Sequence, residues 1–189
     1  MSNNIQRSNM ELVNIVMTGD IRHEVELSQI YKDIDLPSVE YSPENFPGLI
    51  IRDVSDSTTI LLFTSGKFNI TGASNQNEIN NAIKKLRRKL NKIGIIDEET
   101  DLRTKIVNVV YSAEVELNIS LEKLLLTLGF ENIEYEPEIS PFLIYRPDYQ
   151  SCVVTVSNSG KIVITGVTSK NTAQSVLSKL KRDIKLADK

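Results

Sequence analysis

Two short strings, Ser65-Gly66-Lys67 and Ile70-Thr71-Gly72, return in the same order as Ser159-Gly160-Lys161 and Ile164-Thr165-Gly166. The same offset of 94 residues relates three further pairs of strings: Asn14-Ile15-Val16 with Asn108-Val109-Val110, Tyr41-Ser42-Pro43-Glu44 with Tyr135-Glu136-Pro137-Glu138, and Leu49-Ile50-Ile51-Arg52 with Leu143-Ile144-Tyr145-Arg146. Two copies of so long a unit are too few for a solenoid. The sequence therefore predicts a duplicated subdomain whose halves pack as a pseudo-two-fold pair.

Hydrophobic periodicity predicts similar elements in both copies. In the first copy it indicates helices at 27–34 and 75–92 and strands at 12–17, 38–41, 49–54, 58–64 and 68–71. In the second copy it indicates helices at 120–128 and 171–186 and strands at 105–111, 142–146, 151–156 and 161–165. Asn75 suits a helix N-cap and Gly129 suits a C-cap. Because the second copy repeats the first, it should also have a counterpart of the short strand at 38–41. Five strands and two helices in each half predict an α+β fold with a ten-stranded antiparallel sheet and helices on one face.

The repeat also predicts how the chain is divided. Residues 1–10 are polar and are expected to form a flexible N-terminus. Residues 11–96 make the first repeat, and residues 105–189 make the second. The intervening stretch, 97–104, is acidic and is expected to link them.

Composition excludes several classes of protein. The chain of 189 residues has one cysteine, Cys152, and one histidine, His23, which is too few for an internal disulfide or the usual zinc site. No stretch has the pattern of a membrane span or a signal peptide. The acidic pairs Glu24/Glu26 and Glu114/Glu116 lack an accompanying nucleophile or base. We therefore expect no metal, no cofactor, no membrane association and no enzymatic activity.

The net charge is −3, and neither half of the chain is basic. A nucleic-acid-binding domain normally shows a basic patch. Net charge is a global sum, however, whereas binding is local. Any nucleic-acid-binding surface on this chain would have to segregate its few cations and gain affinity from other interactions.

Strand alternation predicts an uncharged surface on one side of the sheet. Leu61 and Phe63 share one side of their strand, and Asn69 and Thr71 occupy a corresponding side of the next. The matching positions of the second copy are Thr155, Ser157, Val163 and Thr165. An exposed surface of small, apolar and weakly polar groups that extends over both halves usually marks a binding site.

The duplicated strings resemble those of the TATA-box-binding protein family, in its archaeal form, over about residues 12–186. The resemblance implies a saddle, with a curved sheet and helices on its convex face. It also implies a transcription initiation factor that binds and bends A/T-rich promoter DNA in the minor groove, together with transcription factor B and RNA polymerase. The expected location is the cytoplasm, at the archaeal nucleoid, or the nucleus of a eukaryote.

The resemblance also assigns roles to residues. Phe46 and Phe63 match a pair of aromatic wedges, and Asn14 and Asn108 match two central asparagines. Further DNA-binding positions implied in the groove are Val16, Leu61, Asn69, Thr71, Val110, Thr155, Val163 and Thr165. Those implied at its edges are Arg52, Ser65, Lys67, Arg146, Ser159 and Lys161. Taken without the resemblance, isolated phenylalanines such as Phe46 and Phe63 are more often core residues.

The second copy departs from the family pattern at the wedge. Ser140 and Ser157 stand where Phe46 and Phe63 stand in the first copy. Phe142 has the strand parity of Ser140 and could take over its role, but the sequence suggests no aromatic residue near Ser157. Because serine lacks the apolar area needed to offset base unstacking, the sequence predicts an asymmetric binder that kinks DNA at the first-copy end.

A second candidate surface is the loop Glu136-Pro137-Glu138-Ile139, which resembles the family's contact with transcription factor B. Glu136, Glu138 and Ile139 would bind the partner, although a solvated acidic loop is an equally simple interpretation. The loss of the second wedge also leaves another function open. The chain could be a divergent relative that acts mainly as a partner-dependent protein-interaction module, with weak DNA bending.

Overall fold

The computed structural model describes residues 10–36, 38–52 and 57–188. Within these ranges the chain forms ten strands, four α-helices and one short 3-10 turn. The first half contains β1 (Glu11–Asp20), α1 (Leu27–Asp33), β2 (Val39–Glu40), β3 (Gly48–Arg52), β4 (Thr59–Phe63), β5 (Lys67–Ala73) and α2 (Gln76–Lys92). The second half contains β6 (Lys105–Glu114), α3 (Leu121–Leu128), the 3-10 turn (Phe130–Asn132), β7 (Ile133–Glu134), β8 (Phe142–Tyr145), β9 (Val153–Ser157), β10 (Lys161–Val167) and α4 (Lys170–Ala187).

The predicted α+β fold with ten strands is confirmed. The strand order is β2-β3-β4-β5-β1-β6-β10-β9-β8-β7, and the described pairs are antiparallel. The chain divides into two compact units: a first unit, Asn14–Val107, and a second unit that runs from Asn108 and includes the start of β1 up to Val13. Most of the predicted flexible N-terminus, residues 1–9, lies outside the described residues.

In each unit one side of the sheet is buried under helices. In β4, Ile60 and Leu62 are buried whereas Leu61 and Phe63 are half-exposed, and the same alternation runs through β9 and β10. In the first unit α2 packs on β5 and α1 on β3, and in the second α4 packs on β10. The side chains with 0–2% exposure that fill these two cores include Leu62, Phe68, Ile70, Ile79 and Leu86 in the first unit and Val154, Val156, Ile162, Leu177 and Leu180 in the second.

The helix ends follow from local hydrogen bonds. The side chain of Asn75 accepts from the backbone N–H of Glu78 at 3.0 Å, and the Glu78 carboxylate accepts from the N–H of Ser74 at 2.7 Å. This reciprocal capping satisfies donors at the start of α2. It also holds the pKa of Glu78 below its ordinary value, chiefly through the Ser74 backbone bond. Gly129 ends α3 with φ 87° and donates to Leu125, so both predicted caps are confirmed.

The repeated Ser-Gly-Lys string forms a turn that contacts the backbone of a neighbouring segment. Gly66 and Gly160 have φ values of 78° and 80°. A Cβ atom on Gly66 would lie 2.1 Å from the carbonyl oxygen of His23, and one on Gly160 would lie 2.0 Å from that of Val115. Only glycine fits this positive φ together with this close approach. The string therefore recurs because both turns meet the same steric constraint.

We predict that Gly66→Ala lowers the free energy of unfolding by about 2–5 kcal/mol, because left-handed strain adds to a clash with a backbone atom. Gly94→Ala is the matched control. Gly94 also has a positive φ, 73°, but has open space where the Cβ atom would lie. Its substitution should cost only about 1–2 kcal/mol. Urea unfolding of the two variants measures the difference, and equal losses would show that the close approach at Gly66 is unimportant.

None of the helices in the described ranges is both long enough and apolar enough to cross a bilayer.

Candidate nucleic-acid interface

The half-exposed side of the first unit brings most of its predicted site residues together. We call this surface the first open face and define it by Asn14, Val16, Leu61, Phe63, Asn69 and Thr71. Leu61 lies opposite Asn69 in the β4–β5 register. The structure adds three residues that the sequence reading missed: Thr18 opposite Asn69, Ile50 opposite Leu61 and Thr59 opposite Thr71. The signal that could have identified these three residues is that they alternate along their strands with residues that are buried.

Phe46 and Phe63 form a ring pair at one end of the first open face. Their centroids are 5.9 Å apart and their planes are inclined at 60°. Both are half-exposed and neither is in the core. Gly48 lies directly opposite Phe63 in the register, and a Cβ atom there would approach ring atoms of Phe46 at 2.6 Å and Phe63 at 3.1 Å. The sequence reading missed Gly48, whose lack of a side chain makes room for the two rings.

Asn14 is held by a distortion of the sheet. One extra residue in β5 shifts the β1–β5 register near Gly72, which has φ 89°. At this bulge the N–H of Gly72 donates to Oδ1 of Asn14 at 2.8 Å, and Nδ2 of Asn14 donates to Oγ1 of Thr71 at 3.4 Å. A backbone N–H can only donate, so this bond identifies which amide atom is the oxygen.

Asn108 repeats this arrangement in the second unit. The β6–β10 register shifts in the same way near Gly166, with φ 85°. Gly166 donates its N–H to Oδ1 of Asn108 at 2.8 Å, and Nδ2 of Asn108 donates to Oγ1 of Thr165 at 3.3 Å. Each NH₂ group carries two hydrogens, and threonine takes one of them. Each asparagine therefore keeps a donor for a ligand on the half-exposed side of its unit.

The second unit has an open face of its own. We define this second open face by Asn108, Val110, Phe142, Thr155, Ser157, Val163 and Thr165, of which Phe142 is exposed and the others are half-exposed. Val163 lies opposite Thr155, as Asn69 lies opposite Leu61 in the first unit. Ile144, which the sequence reading did not name as a site residue, lies opposite Thr155 on its other side.

One sequence expectation about the second open face was wrong. Phe142 lies directly opposite Ser157 in the β8–β9 register, so an aromatic residue does lie beside Ser157. Residues facing each other across antiparallel strands have Cβ atoms about 4.5–5.5 Å apart. The two positions are 15 residues apart in the chain, so the residues adjacent to Ser157 in the sequence did not reveal the contact. Ser140 is half-exposed, and its Oγ accepts from the N–H of Phe142 at 3.4 Å.

The predicted cations lie at the ends of the strands. Lys67 and Lys161 begin β5 and β10 and are exposed. Arg52 forms an ion pair with Glu40 at 3.6 Å, and Arg146 forms one with Glu134 at 2.7 Å. Ser65 and Ser159 are exposed in the adjoining turns. Charge thus lies at strand ends, while the two open faces carry amide, hydroxyl and apolar groups.

The predicted partner loop lies between β7 and β8. The N–H groups of Ile139 and Ser140 both donate to the carbonyl oxygen of Glu136 at 2.9 Å. These bonds form a compact turn that leaves Ile139 79% exposed and the side chains of Glu136 and Glu138 in solvent. The loop therefore presents an apolar side chain flanked by two carboxylates.

A family model described as "Transcription factor TFIID (or TATA-binding protein, TBP)" matches the chain twice, at residues 9–93 and 103–187. The chain belongs to the TATA-binding protein family. It is 34% identical to the TATA-box-binding protein of Archaeoglobus fulgidus over 96% of this chain and 97% of that protein. It is 37% identical to TATA-box-binding protein F of Halobacterium salinarum, with 89% of each chain covered.

The fold agrees with this assignment. The TATA-binding protein of Methanococcus jannaschii superposes with a TM-score of 0.82 at 38% identity and covers 93% of this chain and 98% of that one. The predicted archaeal-type family and its fold are thereby confirmed.

The TATA-binding protein family consists of DNA-binding transcription factors and not of enzymes, which confirms the non-enzymatic prediction. Among the described residues, no group of three or more His, Cys, Asp or Glu side chains could hold a metal ion.

If Phe63 belongs to an open face and not to the core, Phe63→Ala should lower the free energy of unfolding by about 1 kcal/mol. Phe68 is the matched control in the next strand, because it is 0% exposed and packs beneath Gly19. Phe68→Ala should cost about 3–5 kcal/mol. Thermal or denaturant unfolding compares the two variants. A loss at Phe63 as large as that at Phe68 would contradict this placement.

Proposed function

We propose that this protein is a transcription initiation factor that binds A/T-rich promoter DNA in the minor groove through its two open faces. The observation that carries the proposal is the pair of asparagines with matching hydrogen bonds, Asn14 and Asn108, on surfaces whose charges are confined to strand ends. Membership of the TATA-binding protein family supports the same class of ligand. The protein would act wherever promoter DNA lies, which in an archaeal cell is the cytoplasm.

The asparagine donors supply a preference for A·T pairs. In the minor groove, A·T and T·A present only acceptors, whereas G·C adds the 2-amino donor of guanine. An NH₂ group directed at the groove pairs with those acceptors but meets a second donor at G·C. Because the glycine bonds prevent the amides from flipping, Asn14 and Asn108 cannot adapt to guanine by exchanging oxygen and nitrogen.

Affinity must come largely from apolar burial. The four candidate phosphate contacts, Arg52, Lys67, Arg146 and Lys161, imply a slope of roughly −3.6 for the logarithm of affinity against that of salt. Arg52 and Arg146 would exchange a carboxylate partner for phosphate. These ion pairs are about half-exposed, with side-chain exposures of 49% and 64% for Arg52–Glu40 and 49% and 66% for Arg146–Glu134. Exposed pairs contribute only about 0–1 kcal/mol, so the exchange costs little.

The ring pair supplies the deformation of DNA. Minor-groove binders insert apolar wedges between base steps, and unstacking costs about a few kcal/mol per step. Phe46 and Phe63 present two adjacent rings for this purpose, whereas the matching positions of the second unit are the serines Ser140 and Ser157. We therefore expect the bend to be larger at the end of the site that contacts the first unit.

The partner loop would recruit transcription factor B and, with it, RNA polymerase. Its exposed Ile139 could insert into an apolar pocket of the partner, while Glu136 and Glu138 meet basic groups around it. This combination of a buried apolar anchor and a charged rim is usual for protein interfaces.

Binding to two duplexes of equal length, one A/T-rich and one G/C-rich, tests this function. We expect the A/T-rich duplex to bind at least tenfold more tightly in a fluorescence-anisotropy titration, with affinity that falls as salt rises. The double variant Phe46→Ala/Phe63→Ala should lose most of this affinity. Phe130→Ala removes an exposed phenylalanine outside both open faces and should bind like the unaltered protein. Equal affinity for the two duplexes would contradict the proposal.

A second candidate function is that of a partner-dependent interaction module with weak DNA bending. The serines at 140 and 157 favour it, because one end of the site lacks the two-ring wedge. A gel shift with and without transcription factor B separates the two functions. A complex that forms only with the partner present favours the module, whereas binding of the A/T-rich duplex by the protein alone favours the initiation factor.

A further inference from the structure

The two units carry their aromatic side chains at different positions of equivalent strand pairs, β3–β4 in the first unit and β8–β9 in the second. In the first unit, Gly48 lies opposite Phe63. In the second unit, Phe142 lies opposite Ser157, and these are the residues that match Gly48 and Phe63 in the repeat. The first unit thus has large side chains around a glycine. The second has small side chains around a phenylalanine.

Steric crowding explains why two flanking rings and a central side chain do not occur in the same unit. Ring atoms of Phe46 and Phe63 would come within 2.6 and 3.1 Å of a Cβ atom on Gly48, so a central side chain would displace at least one of the rings from its present position. Serines at 140 and 157 remove that obstacle. A central side chain at position 142 therefore has no aromatic rings at the two matching positions to displace.

Phe142 is oriented for contact with a ligand. It is 45% exposed, and its neighbours Leu143 and Tyr145 point to the buried side of β8. The serines beside it are bound locally: Ser140 accepts from the N–H of Phe142, and Ser157 Oγ lies 2.8 Å from Ser159 Oγ and accepts from the N–H of Lys161 at 3.2 Å. Their hydroxyls therefore have partners within the protein, and Phe142 is the apolar projection at this end of the second open face.

We propose that Phe142 is the base-step contact of the second unit, with a single ring acting where the first unit uses two. The proposal rests on minor-groove binding as the function of the open faces. One ring buries less apolar area than two, so it offsets less of the unstacking cost. The two ends of the bound DNA site are then unequal, and each is opened by a different aromatic residue or pair.

A tryptophan probe tests the contact directly, because the chain contains no tryptophan. In F142W the only indole would lie at the proposed contact, and its emission should fall on titration with an A/T-rich duplex as it stacks on a base. F130W is the matched control, since Phe130 is 67% exposed in the same unit but outside the open face. Its emission should not change. Unchanged F142W emission at a duplex concentration that anisotropy shows to be saturating would overturn the proposal.

Affinity measurements separate this proposal from the proposed function. Phe142→Ala should weaken binding to the A/T-rich duplex by about tenfold, since aromatic stacking on a base contributes at that level. Fluorescence of 2-aminopurine, placed at each end of the site in turn, should lose its increase at one end in Phe142→Ala and at the other end in Phe46→Ala/Phe63→Ala. Loss of both signals in Phe142→Ala with an unchanged melting temperature, or the loss of neither, would overturn the single-ring contact while leaving minor-groove binding intact.

If the unaltered protein binds neither duplex, the proposed minor-groove binding is wrong and the proposed role of Phe142 is wrong with it. The exchange variant S140F/F142G/S157F recreates the residues of the first unit and should bind at least as tightly as the unaltered protein, with a larger 2-aminopurine signal at the second-unit end. Because it has no ring at position 142, it keeps the proposal falsifiable should Phe142→Ala fail to fold. A folded exchange variant with no signal at that end would contradict the proposal.

Discussion

The hydrogen bond from a glycine N–H to an asparagine amide oxygen, Gly72 to Asn14 and Gly166 to Asn108, is the interaction on which the account of this molecule depends. A bulge places each glycine at a positive φ and removes its N–H from the regular ladder. That N–H then fixes the amide oxygen, and the amide nitrogen becomes a donor of known direction. Without this bond each asparagine could turn either its donor or its acceptor toward a ligand, and no preference between base pairs would follow.

The same constraint reconciles DNA binding with an acidic chain. The chain has a net charge of −3, and neither half of it is basic. Here the four candidate phosphate contacts lie at strand ends, two of them in exposed ion pairs, and the open faces offer apolar side chains, hydroxyls and the two fixed amides. Such a surface suits a groove whose floor presents acceptors and whose walls are apolar sugar atoms. In the proposed complex, charge would position the protein on the backbone, while burial and donor geometry would provide the selectivity.

Much of the fold could be predicted from the sequence because it depends on periodicity and on local end signals. The predicted helices end within one residue of those observed, and Asn75 and Gly129 cap α2 and α3 as expected. Alternation also predicted the exposed side of β4, β5, β9 and β10. Gly48 was not recognised, because a glycine's importance comes from the side chains that converge on it. The proximity of Phe142 to Ser157 was missed because cross-strand register depends on tertiary pairing and not on adjacent residues.

The most direct test of the central claim replaces the A·T pairs of a bound duplex by inosine·cytosine pairs. Inosine lacks the 2-amino group of guanine, so the replacement changes the major-groove edge but leaves the minor groove with acceptors only. We predict that the inosine duplex binds nearly as tightly as the A/T-rich duplex and that the guanine duplex of the same sequence binds at least tenfold more weakly. If the inosine duplex binds as weakly as the guanine duplex, Asn14 and Asn108 do not read the minor groove.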